Sequence, residues 1–130
     1  MQITTTVVTL TVEDTAASAA FLQRHFGYTE QMSADGFVSL GHPGGGVDVV
    51  YLRRGLEVLP EDQRDRTADG VILAFTVEDL AAQERRLREE GVEITMALRE
   101  EPWGEKLFQV ADPNGVVIEL VEWAAADSQQ

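Results

Sequence analysis

Few side chains in this sequence have the chemistry to catalyse, and they are scattered. The 130 residues include two histidines, His25 and His42, and no cysteine. Lacking cysteine, the chain has no disulfides, zinc-thiolate sites, iron–sulfur clusters or thiol nucleophiles. A divalent metal needs several oxygen or nitrogen donors converging on one point. Neither histidine supplies such a set: His25 falls near a predicted helix end, where an exposed or helix-dipole role is expected, and His42 falls in a turn. Ser18, Ser33 and Ser39 have no escort of His and carboxylate to activate a hydroxyl. Gly44-Gly45-Gly46 joins two strands and opens no helix, so it does not read as a phosphate loop.

Two features remain. Glu119 stands in the apolar run Val116–Val121. It is a candidate lone general base, or a carboxylate that hydrogen-bonds a ligand or a neighbouring backbone. No acid or stabiliser is matched to it, and the sequence names no catalytic residue. Trp103 lies in the loop Glu101–Gly104, where its flat surface and N–H suit stacking on an aromatic ligand or packing in an interface.

Charge narrows the partners. Ten basic residues against 23 acidic ones leave a formal charge of −13. Nucleic acid and anionic membrane surfaces are repelled by such a field, whereas a cationic or neutral ligand is not. Hydrophobic residues are 44% and charged residues 25%, ordinary usage for a globular chain that can build a core. No apolar run approaches the roughly 18 residues that span a bilayer, and Met1–Thr6 lacks the pattern of a signal peptide. The expectation is a soluble, cytoplasmic protein.

The elements that must position these residues are organised by a repeat. Thr11-Val12-Glu13-Asp14 recurs as Thr76-Val77-Glu78-Asp79, half a chain later. Each copy follows a β-prone run, Val7–Val12 or Val71–Val77, and precedes a predicted helix. The spacing predicts helices over Thr15–Phe26 and Leu80–Glu90. Asp14 and Asp79 are placed to cap their starts, and Gly27 and Gly91 to end them. Strands are predicted at Phe37–Leu40 and Val47–Leu52 in the first half. In the second they are Glu93–Leu98, Lys106–Val110 and Val116–Glu122. His42–Gly46 and Asp112–Gly115 supply the turns. Polar residues 53–69 read as a connector between modules of about 1–52 and 70–123 within one domain. The tail Ala124–Gln130 reads as frayed.

This is an α+β chain of two similar halves. Placed side by side, two such halves form one larger curved, cup-shaped mixed sheet. The helices then cover the convex side and leave a concave face for a ligand or partner chain.

With these residues in place, the sequence resembles the vicinal oxygen chelate superfamily, which includes glyoxalase I, extradiol dioxygenases, and fosfomycin- and bleomycin-resistance proteins. The resemblance is carried by the paired Thr-Val-Glu-Asp helix starts, by Phe26-Gly27-Tyr28, and by Glu101-Pro102-Trp103-Gly104 leading into Phe108–Leu120. It covers nearly the whole chain and implies paired βαβββ modules, usually in a homodimer. Such a fold hosts many functions.

In metal-using members the resemblance puts ligands on the first and last strands of each module. The matching positions here are Val7 and Ile72, 65 residues apart like the repeat, then Glu119, and either Val49 or Val50. One potential donor of four is left, so neither a metal nor another cofactor is expected. If Glu119 points into the cup, strand alternation brings Val117, Val121 and Trp123 with it. Val49, as its counterpart, would bring Tyr51. The resemblance adds Phe37 and Ser39 to the same groove, and places Trp103 along it.

The expected ligand-binding set is therefore Phe37, Ser39, Val49, Tyr51, Trp103, Glu119 and Trp123. The expected function is metal-free sequestration of a hydrophobic or aromatic natural-product antibiotic, as the resemblance to bleomycin, mitomycin and enediyne binders implies. The alternatives are an enzyme of the same superfamily that uses Glu119 without the usual metal, and a scaffold or regulatory dimer with a vestigial cup.

Overall fold

The computed structural model describes residues 1–124. Its chain divides into two units, one of Met1–Asp69 and one from Gly70 onward. The N-terminal unit contains β1 (Val7–Val12), α1 (Thr15–Phe26), β2 (Thr29–Ala34), β3 (Phe37–Gly41) and β4 (Asp48–Arg53). The C-terminal unit repeats the order with β5 (Ile72–Thr76), α2 (Leu80–Glu89), β6 (Ile94–Glu100), β7 (Glu105–Ala111) and β8 (Val117–Trp123). Each is a βαβββ motif with a mixed four-stranded sheet, ordered β1-β4-β3-β2 and β5-β8-β7-β6. The first strand runs parallel to the last, and the remaining pairs are antiparallel. The fold class is α+β.

The pairing follows from the turns. After β3, Gly45 N–H donates to His42 O at 2.9 Å, and the glycines at 45 and 46 take φ of 89° and 98°, where a side chain would be strained. Asp112 does the same work between β7 and β8. Its Oδ1 accepts the N–H groups of Asn114 and Val116, at 2.8 and 2.9 Å. A side chain that satisfies two turn amides fixes the register of the strands on either side.

α1 forms as its sequence predicts. Asp14 Oδ1 accepts the Ala17 N–H at 3.1 Å, and Gly27 ends the helix with φ 76°. α2 starts differently. Asp79 is left-handed, with φ 54°, and makes no side-chain cap bond. The cap comes from Glu122 on β8, whose carboxylate accepts the N–H groups of Asp79 and Leu80 at 3.1 and 3.2 Å. The expected Asp79 cap is thus corrected: a left-handed backbone turns its side chain away from the first-turn amides, and a long acid on the neighbouring strand replaces it.

Each helix covers one face of its sheet. Beneath α1 lie Leu10, Val12, Val38, Leu40, Val49 and Tyr51, packed with Ala19 and Leu22. Beneath α2 lie Phe108, Val110, Ile118 and Leu120, packed with Leu80 and Leu87. Burial of this apolar area is the main favourable term holding each unit together.

The strand list and the start of the tail need adjustment. β2 is not among the predicted strands, because Thr-Glu-Gln-Met-Ser-Ala is exposed throughout and has no inward apolar period to show. The connector 53–69 is well tied: Arg64 donates to the carbonyls of Glu57 and Leu59, and Gly55 N–H donates to Arg64 O at 2.8 Å. Ala124 is anchored as well, donating to Gly104 O at 3.0 Å; the rest of the tail lies outside the described residues.

Candidate ligand-binding faces

A β-strand sends alternate side chains to opposite faces, so the faces away from the helices are fixed by register. In the N-terminal sheet one row across that far face is Thr9, Val50, Ser39 and Met32. In the C-terminal sheet the same row is Ala74, Glu119, Gln109 and Met96. Val50 is therefore the counterpart of Glu119.

This corrects two expected site residues. Val49 and Tyr51 lie on the helix side of β4 and are both 0% exposed. Because a strand alternates, Tyr51 follows Val49 to the helix side, and of the two expected counterparts Val50 is the one on the far face. Val50 and Leu52, both half-buried, occupy the far face instead. Leu52 pairs across the sheet with Phe37, and Val50 with Ser39. Phe37 and Ser39 thus share the far face with Leu52 and Val50, and Ser39 Oγ donates to Gln31 Oε1 at 3.0 Å.

The far face of the C-terminal sheet carries Ile72, Ala74, Val117, Glu119, Val121 and Trp123, as alternation predicts. Glu119 is half-buried and accepts a hydrogen bond from Gln109 Nε2 at 2.8 Å. Gln109 is not among the expected site residues. The signal that could have found it is the register of the Asp112–Gly115 hairpin, which sets residue 109 opposite residue 119.

Trp103 and Trp123 stand at one end of this sheet. Trp123 pairs in register with Glu105, and Trp103 Nε1 donates to the same Glu105 at 2.9 Å. The loop is held from both sides, since Gly104 N–H donates to Glu101 O and Ala124 N–H to Gly104 O. The indole N–H of Trp103 is therefore used, and what the residue offers a ligand is its ring face. Trp103 is 65% exposed and Trp123 53%. Both rings, one on a tied loop and one at a strand end, present flat apolar surface to solvent.

The histidines are engaged elsewhere. Gly44 N–H donates to His42 Nδ1 at 2.9 Å, so the ring proton sits on Nε2, which reaches Phe26 O at 3.1 Å. Both nitrogens are then occupied by backbone. His25 is buried in the last turn of α1, which excludes the exposed position and leaves the helix-dipole role of the two expected, and its ring lies edge-on to Phe21 at 5.0 Å.

The residues at the four positions that the resemblance assigns to metal ligands, Val7, Val50, Ile72 and Glu119, offer one carboxylate and three hydrocarbons. They do not fit a metal, whose binding needs several donors. Among the described residues no three His, Cys, Asp or Glu side chains gather in a group that could hold one.

Comparison with known proteins places these features. A model of the Glyoxalase/Bleomycin resistance protein/Dioxygenase superfamily matches residues 4–120. Among solved structures, the chain is similar to TioX from Micromonospora sp. ML1, with 23% identity over 93% of this chain and 99% of that one, at a TM-score of 0.72. It is similar to TnmS3, an antibiotic binding protein from Streptomyces sp. CB03234, with 21% identity over 95% and 99% and a TM-score of 0.73. It is similar as well to a lactoylglutathione lyase from Agrobacterium tumefaciens, with 16% identity over 92% of each chain and a TM-score of 0.72. No curated protein matches. Among the described residues no helix is long and apolar enough to cross a membrane.

Proposed function

The chain belongs to the glyoxalase/bleomycin resistance protein/dioxygenase superfamily, and from that premise we propose that it is a metal-free binding protein for a hydrophobic or aromatic natural-product antibiotic. It protects by sequestration, as a cytoplasmic homodimer, with no chemical step. The fold does not choose between this and catalysis, since it is shared with an antibiotic binding protein and with a lyase. The choice comes from the residues on the far faces.

One observation carries the reading: positions that would need metal donors carry exposed hydrocarbon. Val7 is 47% exposed and Ile72 51%, on faces that also present Met32 and Trp123. Exposed hydrocarbon of this kind, with polar side chains such as Ser39 and Glu119 set beside it, suits a largely apolar ligand that also makes a few hydrogen bonds. In this reading Phe37, Val50, Leu52, Trp103 and Trp123 give contact area. Ser39 and Glu119 give hydrogen bonds.

The test is a tryptophan-fluorescence titration against planar natural-product antibiotics, followed by mass spectrometry and chromatography of the recovered compound. Tight binding and an unchanged compound are expected. A converted compound would overturn sequestration and point to the enzymatic alternative, with Glu119 as its base. Its check is whether Glu119→Gln abolishes conversion or only weakens binding.

A further inference from the structure

We propose that Gln109 and Glu119 form a single recognition element for the ligand, one that selects a cationic or N–H-bearing group such as an amine, an amidinium or a protonated ring nitrogen. The inference rests on the binding reading above and names the ligand chemistry that reading leaves open.

The geometry is specific. Gln109 and Glu119 are in-register partners on β7 and β8, and Gln109 Nε2 donates to Glu119 Oε1 at 2.8 Å. A carboxylate only accepts, so this bond fixes which end of the amide faces Glu119. The Gln109 carbonyl oxygen is then turned away from the carboxylate. Two acceptors remain for an incoming group, Glu119 Oε2 and Gln109 Oε1, against one amide N–H.

The surroundings sharpen the preference. Ala74 and Met96 flank the pair across the sheet, and Val117 and Val121 flank Glu119 along β8. A charge among hydrocarbons is screened less than one in open water, so a matching cation gains more there and an anion loses more. Ala74, paired with Glu119, adds only a methyl group beside the carboxylate. The matching row of the N-terminal sheet, Thr9, Val50, Ser39 and Met32, carries no charge. The preference for a donor group therefore comes from one module, although the motif is repeated. The net charge of −13 is spread over the whole sequence and cannot supply such a local distinction.

Two planar probes of one ring system test it. 9-Aminoacridine is a cation with N–H donors, and acridine-9-carboxylate is an anion. Affinities are measured calorimetrically at pH 7 in 0.15 M salt, which damps the general field of the protein. The expected result is tighter binding of 9-aminoacridine by about tenfold or more, the scale of one charged hydrogen bond.

Glu119→Gln keeps the side-chain length and still pairs with Gln109, and it should remove most of that preference. Gln109→Met should reduce it in part by releasing the carboxylate. Unchanged thermal midpoints show that both variants remain folded. Equal binding of the two probes by the wild-type protein, or a preference that survives in Glu119→Gln, would overturn the recognition pair and leave the binding reading standing. Failure of both probes to bind would overturn the binding reading and this inference with it.

Discussion

Val50 and Glu119 hold the same position in two copies of one motif, the first between Thr9 and Ser39 and the second between Ala74 and Gln109. One copy is hydrocarbon and the other a carboxylate. The equivalence fixes which side of β4 belongs to the core. Val49 is fully buried under α1, while Val50 is half-buried on the far face. Val49→Ala is expected to destabilise by about 1–3 kcal/mol, from lost burial and the cavity left behind. Val50→Ala should cost clearly less. Urea denaturation of the two variants checks the ordering, and equal costs would put the face assignment in error.

Much of the fold was legible because it is written twice. The Thr-Val-Glu-Asp repeat located both crossover helices, and the Pro-Gly and Pro-Asn-Gly turns located the hairpins. β2 was not legible, since an exposed edge strand needs no apolar alternation. Nor was the face of β4: Val49, Val50, Tyr51 and Leu52 form an unbroken apolar run, so the alternation that would reveal register is absent. The site divided along the same line. Glu119 and Trp103 stood out as unusual residues in their local sequence, whereas Gln109 acquires meaning only from the residue across the strand.

Glu122, which caps α2 from outside the helix, supplies a second contrast. Its carboxylate accepts the N–H groups of both Asp79 and Leu80. Glu122→Ala leaves those amides without it at the positive end of the helix dipole and should cost about 1–2 kcal/mol. Asp14→Ala should cost about 1 kcal/mol, because that cap is made by its own side chain. Asp79→Ala loses no cap bond and should cost less than either. Denaturation midpoints of the three variants give the ranking, and a larger loss at Asp79 than at Glu122 would contradict it.

The connector makes its own prediction. Arg64 draws the carbonyls of Glu57 and Leu59 onto one guanidinium, and Leu59 is buried beneath. Arg64→Ala removes all three hydrogen bonds and should release the segment between residues 56 and 63. The expected outcome is cleavage there by a non-specific protease much faster than in the wild-type protein. An unchanged cleavage rate would mean that packing of Leu59 alone holds the loop.

Tyr28 gives the protein an alkaline limit. Its Oη donates to Val47 O at 3.2 Å, and its ring lies edge-on to His42. Burial, with a smaller contribution from Asp48, raises its pKa above the ordinary value near 10. Above pH 10 the unfolded chain releases this proton while the folded chain keeps it. The unfolded state then binds fewer protons, and stability falls as pH climbs through the folded pKa. Below pH 10 the contribution is fully present. Tyr28→Phe should be less stable than wild type at pH 8 by about 1 kcal/mol, from the lost hydrogen bond. That gap should narrow as pH rises from 9.5 to 11.5. Urea denaturation across this range measures it, and a constant gap would show that Tyr28 does not set the slope.

Trp103 separates binding from stability most directly. Its ring is largely exposed, so Trp103→Ala removes little buried area and should change the unfolding free energy by no more than about 0.5 kcal/mol. Loss of the indole also releases the Glu105 carboxylate from its hydrogen bond. If the ring face stacks on the ligand, the same substitution should weaken binding of a planar antibiotic by about tenfold or more. Trp103→Phe keeps an aromatic face without the N–H and should recover part of the affinity. Calorimetry on the three proteins reads both quantities. Full affinity in Trp103→Ala would remove this residue from the ligand surface, and a large loss of stability would make it a packing residue of the loop.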